Sequence, residues 1–336
     1  MRLTNPADSS SARLASVQML RGVAAAMVCA LHFTCGAIHY IPDGHPVKRL
    51  ALLGNYGVQI FFVISGFVLP YAMARQGYQL RNFGSFLLRR IVRIDPPYLA
   101  SILVVLAVMF LSSIHPFYQN EGFQLDWLTA LLHIGYLNPF FHKPWLNPAY
   151  WTLAIEFQFY ILLGLLFAAF KDGSTLTKIA LVVPFVVLAF VVQSYYFIFP
   201  HVPFFLSGIA TCLFVLEKIS WKQLAVCLIA TTLVVGLTSA RIAPAVLANV
   251  LSVAGILWLR HPWRPLMWLG EISYSLYLLH VPVGGWIIGW TEVSTSSLSV
   301  RLAMIPVAFV VSLVAAWLFY RAIERPAIQW SKQVRF

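Results

Sequence analysis

The chain has 336 residues, 60% of them hydrophobic and only 10% charged, with a mean hydropathy of +0.80. A soluble domain carries about 45–50% apolar and about 25% charged residues, so this chain lacks the polar skin for the two domains its length suggests. Composition therefore excludes a soluble enzyme, a disordered chain and a nucleic-acid-binding domain, and predicts an all-α polytopic bundle whose partner is the lipid bilayer.

A transmembrane helix takes about 20 mainly apolar residues. In chain order there are about ten such stretches: 15–37, 52–74, 94–114, 149–170, 177–198, 202–217, 222–240, 243–259, 267–290 and 301–322. The sixth is short, with Pro200 and Pro203 at its start, and Pro96-Pro97 reads as a break at the head of the third. Residues 127–141 are too short and too polar to span, and read as an outer-face loop with an interfacial or re-entrant helix. The whole chain, 1–336, is expected to be one membrane domain.

The basic residues set the orientation. With both termini cytoplasmic, 17 of the 23 Lys and Arg face inward, Arg2 among them; Lys48, Arg49, Lys143, Arg241 and Arg301 face outward, and Arg21 lies within the first span. The net charge of +12 is then mainly topology rather than a sign of an acidic partner. Arg21 also interrupts the first apolar run and no small-x-small cleavage site follows, so the span is read as retained. Cys29, Cys35, Cys212 and Cys227 lie in apolar runs without a CxxC pair, as small buried hydrophobes rather than metal ligands or disulfides.

Ionisable residues inside spans are costly and are functional candidates by default. Arg21 and His32 are eleven residues apart, about three turns, which leaves them on one helix face and about 16 Å apart along the axis. The pair reads either as functional or as a snorkelling arginine with a satisfied core histidine. Glu156, in WTLAIEFQFY, lies about 10 Å below the outer surface, near the depth of His32. A carboxylate there could orient the imidazole as a general base, or could serve a structural hydrogen bond. His280 lies halfway along the ninth stretch with Tyr277 and Ser273 nearby, as cavity lining or helix packing. Gln59 and Ser65 could line a polar cavity. Arg89, Arg90 and Arg93 suit phosphate recognition, although positive-inside topology also explains them. Trp145, Tyr150 and Trp151, near the outer face, suit sugar stacking or interface anchoring equally.

Taken together, LRGVAAAMVCALHF (20–33), GVQIFFVISGFVL (57–69), FLLRRIVRIDPPY (86–98), YWTLAIEFQFY (150–160), GEISYSLYLLHVP (270–282) and IERP (323–326) resemble the membrane acyltransferase family 3, in this order and over nearly the whole chain. The resemblance implies an integral-membrane O-acyltransferase of cell-surface glycans or secondary metabolites, in a bacterial cytoplasmic (inner) membrane. It implies an acyl-CoA donor, acetyl-CoA being commonest in the family, and no metal. It gives His32 and Arg21 catalytic roles, maps the WxLxxE carboxylate to Glu156, and associates Arg89, Arg90 and Arg93 with the acyl-CoA. Gln59 stands where many members have an acidic residue, so no charged role carries over; Gln59, Trp151, Tyr277 and His280 are left as candidate acceptor-binding residues. A C-terminal SGNH-type domain, present in some members, is not expected here. The rival class is a transporter or exporter of a glycan or small metabolite, against which stands the lack of repeated halves.

Overall fold

A computed structural model describes residues 6–36, 40–114 and 125–335; Arg2, counted above with the inward charges, lies outside them. All regular structure among the described residues is helical. The principal helices are α1 (Pro6–Cys35), α2 (Gly57–Arg75), α3 (Phe83–Ser113), α4 (Trp151–Asp172), α5 (Thr175–Val191), α6 (Val202–Val215), α7 (Trp221–Thr238), α8 (Ile242–Trp258), α9 (Arg264–Glu271), α10 (Ser273–Leu279), α11 (Trp286–Ser294), α12 (Leu298–Phe319) and α13 (Arg325–Ser331).

Among the described residues, six helical segments are long and apolar enough to cross a membrane: Arg13–Cys35, Pro46–Arg75, Leu80–Ser113, Trp151–Asp172, Trp221–Thr238 and Leu298–Ser331. A seventh is counted if α9 and the segment Ser273–Ser294 form one broken span. Helices α5 and α8 and the segment Phe199–Val215 are apolar but shorter. Each of the ten stretches expected from sequence thus coincides with a helical element, although fewer than ten reach spanning length.

Two features depart from the expectation. The Pro96-Pro97 pair does not break α3, which runs through both prolines. Two prolines withhold their amides from the carbonyls four residues back, and in a bundle neighbouring groups can make up the loss. Here those carbonyls are those of Val92 and Arg93, and the Tyr274 hydroxyl donates to the next one, that of Ile94, at 2.9 Å, tying this turn to α10. Conversely, the ninth stretch is not one straight helix: α9 and the segment that follows meet at 58°. The bend leaves the first amides of α10 without intrahelical acceptors, and the Glu324 carboxylate accepts the Ser275 N–H at 3.1 Å and its hydroxyl at 2.5 Å.

Helix α1 is central, packing against α2, α8, α9, α10 and α12. Close approach is clearest between α2 and α6, where a Cβ on Gly208 would meet the backbone of Val63, Gly66 and Phe67; small residues serve this purpose between membrane helices. Outward faces carry exposed apolar side chains such as Leu103, Leu237 and Val310, the surface a lipid-solvated bundle presents. On the connection between α3 and α4, the short helix Trp127–Leu132 presents a 73% exposed Trp127, in keeping with an interfacial segment. His133 fastens the connection that follows: Nδ1 donates to the Thr129 carbonyl at 2.7 Å and Nε2 accepts the Leu146 amide at 3.1 Å. All four cysteines are free; Cys29 and Cys212 are buried as expected, whereas Cys227 is exposed on an outward face.

Candidate functional site

Two cross-links tie α1 to the segment that follows the α9 bend. Nearer the start of both, Arg21 Nε donates to Ser273 Oγ at 3.2 Å. Further along, His32 Nδ1 and His280 Nε2 are 3.1 Å apart, with ring centroids at 4.9 Å. His280 opens a π-helical turn, His280–Gly285, and such turns re-aim side chains and frequently mark functional sites. The helix spacing expected from sequence thus puts Arg21 and His32 on one face, and that face meets α10.

The tautomers follow from the acceptors around the rings. His280 Nδ1 lies 2.8 Å from the Tyr277 carbonyl and 3.2 Å from that of Leu276. A carbonyl only accepts, so Nδ1 carries a proton and Nε2 of the neutral ring is the acceptor. His32 Nδ1 lies 3.0 Å from the Val28 carbonyl and must therefore be the donor, shared between Val28 and His280. That leaves His32 Nε2 as a lone pair without a partner among the described residues, on a half-buried ring, while His280 is fully buried. An imidazole held this way is a base with its lone pair aimed.

The expected contact between Glu156 and His32 does not form. Glu156 instead accepts from Ser65 Oγ at 2.9 Å and lines a neighbouring cavity of about 150 Å³ together with Arg21, Arg90, Arg93 and Glu324. The Nδ1 of His32, where an orienting carboxylate would bind, is already taken by the Val28 carbonyl and His280. The cavity carries three guanidinium groups against two carboxylates, and Tyr160, Ser273, Tyr274 and Tyr277 add hydroxyls to its wall. Tyr277 stands between the two features, its ring 5.7 Å from His280, its hydroxyl sharing a 2.7 Å hydrogen bond with Thr152 and donating to Ala149 O at 3.2 Å.

The arginine cluster is split. Arg90 and Arg93 line the cavity, and the Arg90 guanidinium lies over the rings of Phe86 and Tyr160, 5.5 and 6.0 Å from their centroids. Arg89 turns away and donates to Gln76 at 2.8 Å. Helical geometry separates neighbours by about 100°, so one face could not hold Arg89 and Arg90 together. Gln59 and Trp151 also stand apart from the cavity. The Gln59 Oε1 is buried without a hydrogen-bond partner among the described residues, and Trp151 packs against His201 and Tyr195, with centroids at 5.4 and 5.7 Å.

Glu324 was not among the residues the sequence singled out, although it sits in the IERP stretch. It is 4% exposed, closes a second π-helical turn, Tyr320–Glu324, and lies in the electrostatic reach of Arg21. A carboxylate just past the last apolar run looks like a chain-end charge; only the fold reveals it as buried. Tyr160 likewise becomes visible as a cavity group only through its neighbours, whereas Ser65 lines the cavity as its sequence position suggested.

A family model described as an acyltransferase domain matches residues 14–321. Comparison with curated proteins and with solved structures gives no match.

Proposed function

This chain belongs to the membrane acyltransferase family 3, and from that premise we propose that it transfers an acyl group, acetyl first among candidates, from acyl-CoA to a hydroxyl of a glycan or related acceptor. The observation that carries the reading is the His32 tautomer. With Nδ1–H engaged by Val28 and His280, Nε2 takes the proton of the acceptor hydroxyl as its oxygen attacks the thioester carbonyl. The tetrahedral intermediate then collapses, the C–S bond breaks, and the proton on Nε2 passes to the leaving CoA thiolate. Free CoA and an ester result, with no net change at the histidine. An acyl group carried transiently on Nε2 is the two-step variant of the same chemistry.

In this reading all ten apolar stretches span, both termini are cytoplasmic, and the membrane is the bacterial inner membrane. The α3 arginines then lie at the inner face, where Arg90 and Arg93 meet the anionic groups of the donor, and Arg21 continues the cationic track inward. His32 and Glu156 sit toward the outer side, where the acceptor arrives. The excess of guanidinium over carboxylate in the cavity supports an anionic guest, because guanidinium forks match phosphate oxygens. Glu156 and Glu324 offset part of the mutual repulsion of the arginines in a region of low dielectric, as positioning residues rather than proton carriers.

The test is acyl-CoA turnover by purified protein in detergent, with no gradient present. Thiol release that depends on an added hydroxyl acceptor is expected from the native protein. His32→Ala should lower it by about 10²–10⁴ while the protein is made and extracted normally. Undiminished turnover in that variant would refute the mechanism, and turnover absent from the native protein with every acyl-CoA tried would favour a carrier.

A further inference from the structure

On the far side of α6 from α2 lies a groove that the acyl-transfer site does not use. Its volume is about 720 Å³, and its wall is almost wholly apolar: Ile179 and Val183 on α5, Leu206 and Ala210 on α6, Val226 and Ala230 on α7. It opens sideways rather than into the bundle, since Ile179 is 52% and Val226 66% exposed. The Thr231 hydroxyl on its wall is already paired, accepting from Ser207 Oγ at 2.8 Å.

One end of this groove is cationic. Lys178 lies in the first turn of α5, Lys222 in the first turn of α7, and Lys218 just beyond the end of α6, and all three line it. Because α6 runs antiparallel to α5 and α7, the three lysines share one end. Lys218 pairs with Asp172 at 3.3 Å, and Asp172 also meets Lys171 at 3.6 Å; Glu217 is exposed nearby. Lys178 and Lys222 make no ion pair among the described residues. The positive ends of the α5 and α7 dipoles add to the same potential.

The dimensions fit a lipid. From Lys222 to Val234, both on the groove wall, the twelve-residue rise along α7 is about 18 Å. One leaflet of hydrocarbon is about 15 Å deep, half of a core about 30 Å thick. We propose that the α5–α6–α7 groove is a binding site for an anionic phospholipid, its acyl chains in the apolar trough and its phosphate between Lys178 and Lys222. In the topology proposed above this is the inner leaflet. The site needs only a membrane-embedded bundle, so it stands or falls independently of acyl transfer.

The test uses the full chain in neutral detergent, titrated with phosphatidylglycerol or with phosphatidylcholine of identical chains, and occupancy read by native mass spectrometry. Phosphatidylglycerol should bind on the order of tenfold more tightly, the contribution expected of one or two lysines at a lipid surface. The variant K178Q/K222Q should bind the two lipids equally, whereas R264Q, on the same side of the bundle but off the groove, should keep the preference. Ala210→Trp, which fills the trough, should weaken both lipids. Equal binding by the native protein, a preference that survives in K178Q/K222Q, or one lost in R264Q instead would each overturn the site. So would competition by inorganic phosphate alone, which would show that the chains contribute nothing. Neither lysine is in the core, so K178Q/K222Q decides the matter even if Ala210→Trp fails to fold.

Discussion

Replacing His280 by Phe tests the ring–ring hydrogen bond. The substitution keeps an aromatic ring in a fully buried position but removes the Nε2 acceptor that lies 3.1 Å from His32 Nδ1. The His32 donor is not left unpaired, because the Val28 carbonyl remains at 3.0 Å. The expected cost at His32 is therefore that of one hydrogen bond, about 0.5–1.5 kcal/mol, while the lost Nδ1 donation to the Tyr277 and Leu276 carbonyls falls on folding stability. Expressed wholly on the transition state, in which His32 becomes cationic, this is a fall in kcat of about two- to thirteenfold. KM for acyl-CoA should hold, since His280 is not part of the arginine-lined cavity. Thiol release in detergent measures both constants. A double variant, His32→Ala with His280→Phe, should be no slower than His32→Ala alone, because residues that act through one another are not additive. The reasoning fails if His280→Phe is as inactive as His32→Ala, which would make His280 the base. It fails equally if His280→Phe retains full kcat.

Arg90→Gln and Arg93→Gln should raise KM for acyl-CoA by about ten- to a hundredfold, the loss of a charge-assisted hydrogen bond. Arg89→Gln, whose side chain is engaged with Gln76, should change it by less than threefold (about 0.6 kcal/mol); equal effects at all three positions would contradict the split. Gly208→Ala places a methyl group against the α2 backbone and should markedly lower the thermal midpoint in detergent, whereas Gly84→Ala, where an added Cβ meets nothing within 4 Å, should leave it unchanged or slightly raised. Burial holds the His133 imidazole below the ordinary histidine range, and its Nε2 must stay unprotonated to accept from Leu146. The unfolded chain therefore binds the proton more tightly than the folded one. The order of the 127–146 connection should be fully present above about pH 6.5 and lost as the pH falls below it. Limited proteolysis of this connection across that range checks the sign, and His133→Asn should remove the dependence.

Much of this could be read from the sequence because the bilayer makes charge expensive. A span tolerates an ionisable residue only for a reason, so Arg21, His32 and Glu156 stood out against runs of apolar side chains, and helical spacing put the first two on one face. The same logic located His280. It could not say that His280 and His32 touch, since 248 residues separate them and periodicity carries no information about which helices meet. Nor could it see the bend after α9 or the two π-helical turns, whose cause is packing rather than local propensity. The bend is what frees the Ser275 amide, and the second turn is what brings Glu324 to it. Pairing Glu156 with His32 by depth alone failed for a related reason: equal depth fixes one coordinate of three.

The two π-helical turns also constrain each other. Glu324 caps the first turn of α10 at Ser275, and five residues on, about 8 Å further and just past the end of that helix, His280 meets His32. The C-terminal segment thus sets the height and rotation of the helix that presents His280, while Arg21, bonded to Ser273, registers the same helix against α1. Glu324→Ala should therefore act at a distance. It leaves the Ser275 N–H buried and unpaired, a cost of about 1–3 kcal/mol, and it loosens the register that holds the histidines 3.1 Å apart. Both the thermal midpoint and kcat should fall. Glu324→Gln, which retains an acceptor oxygen for Ser275, should recover most of the midpoint. If the role of Glu324 is to hold α10 rather than to carry charge, kcat should recover with it. A variant with restored stability and unrestored kcat would show instead that the Glu324 charge itself is needed beside Arg21.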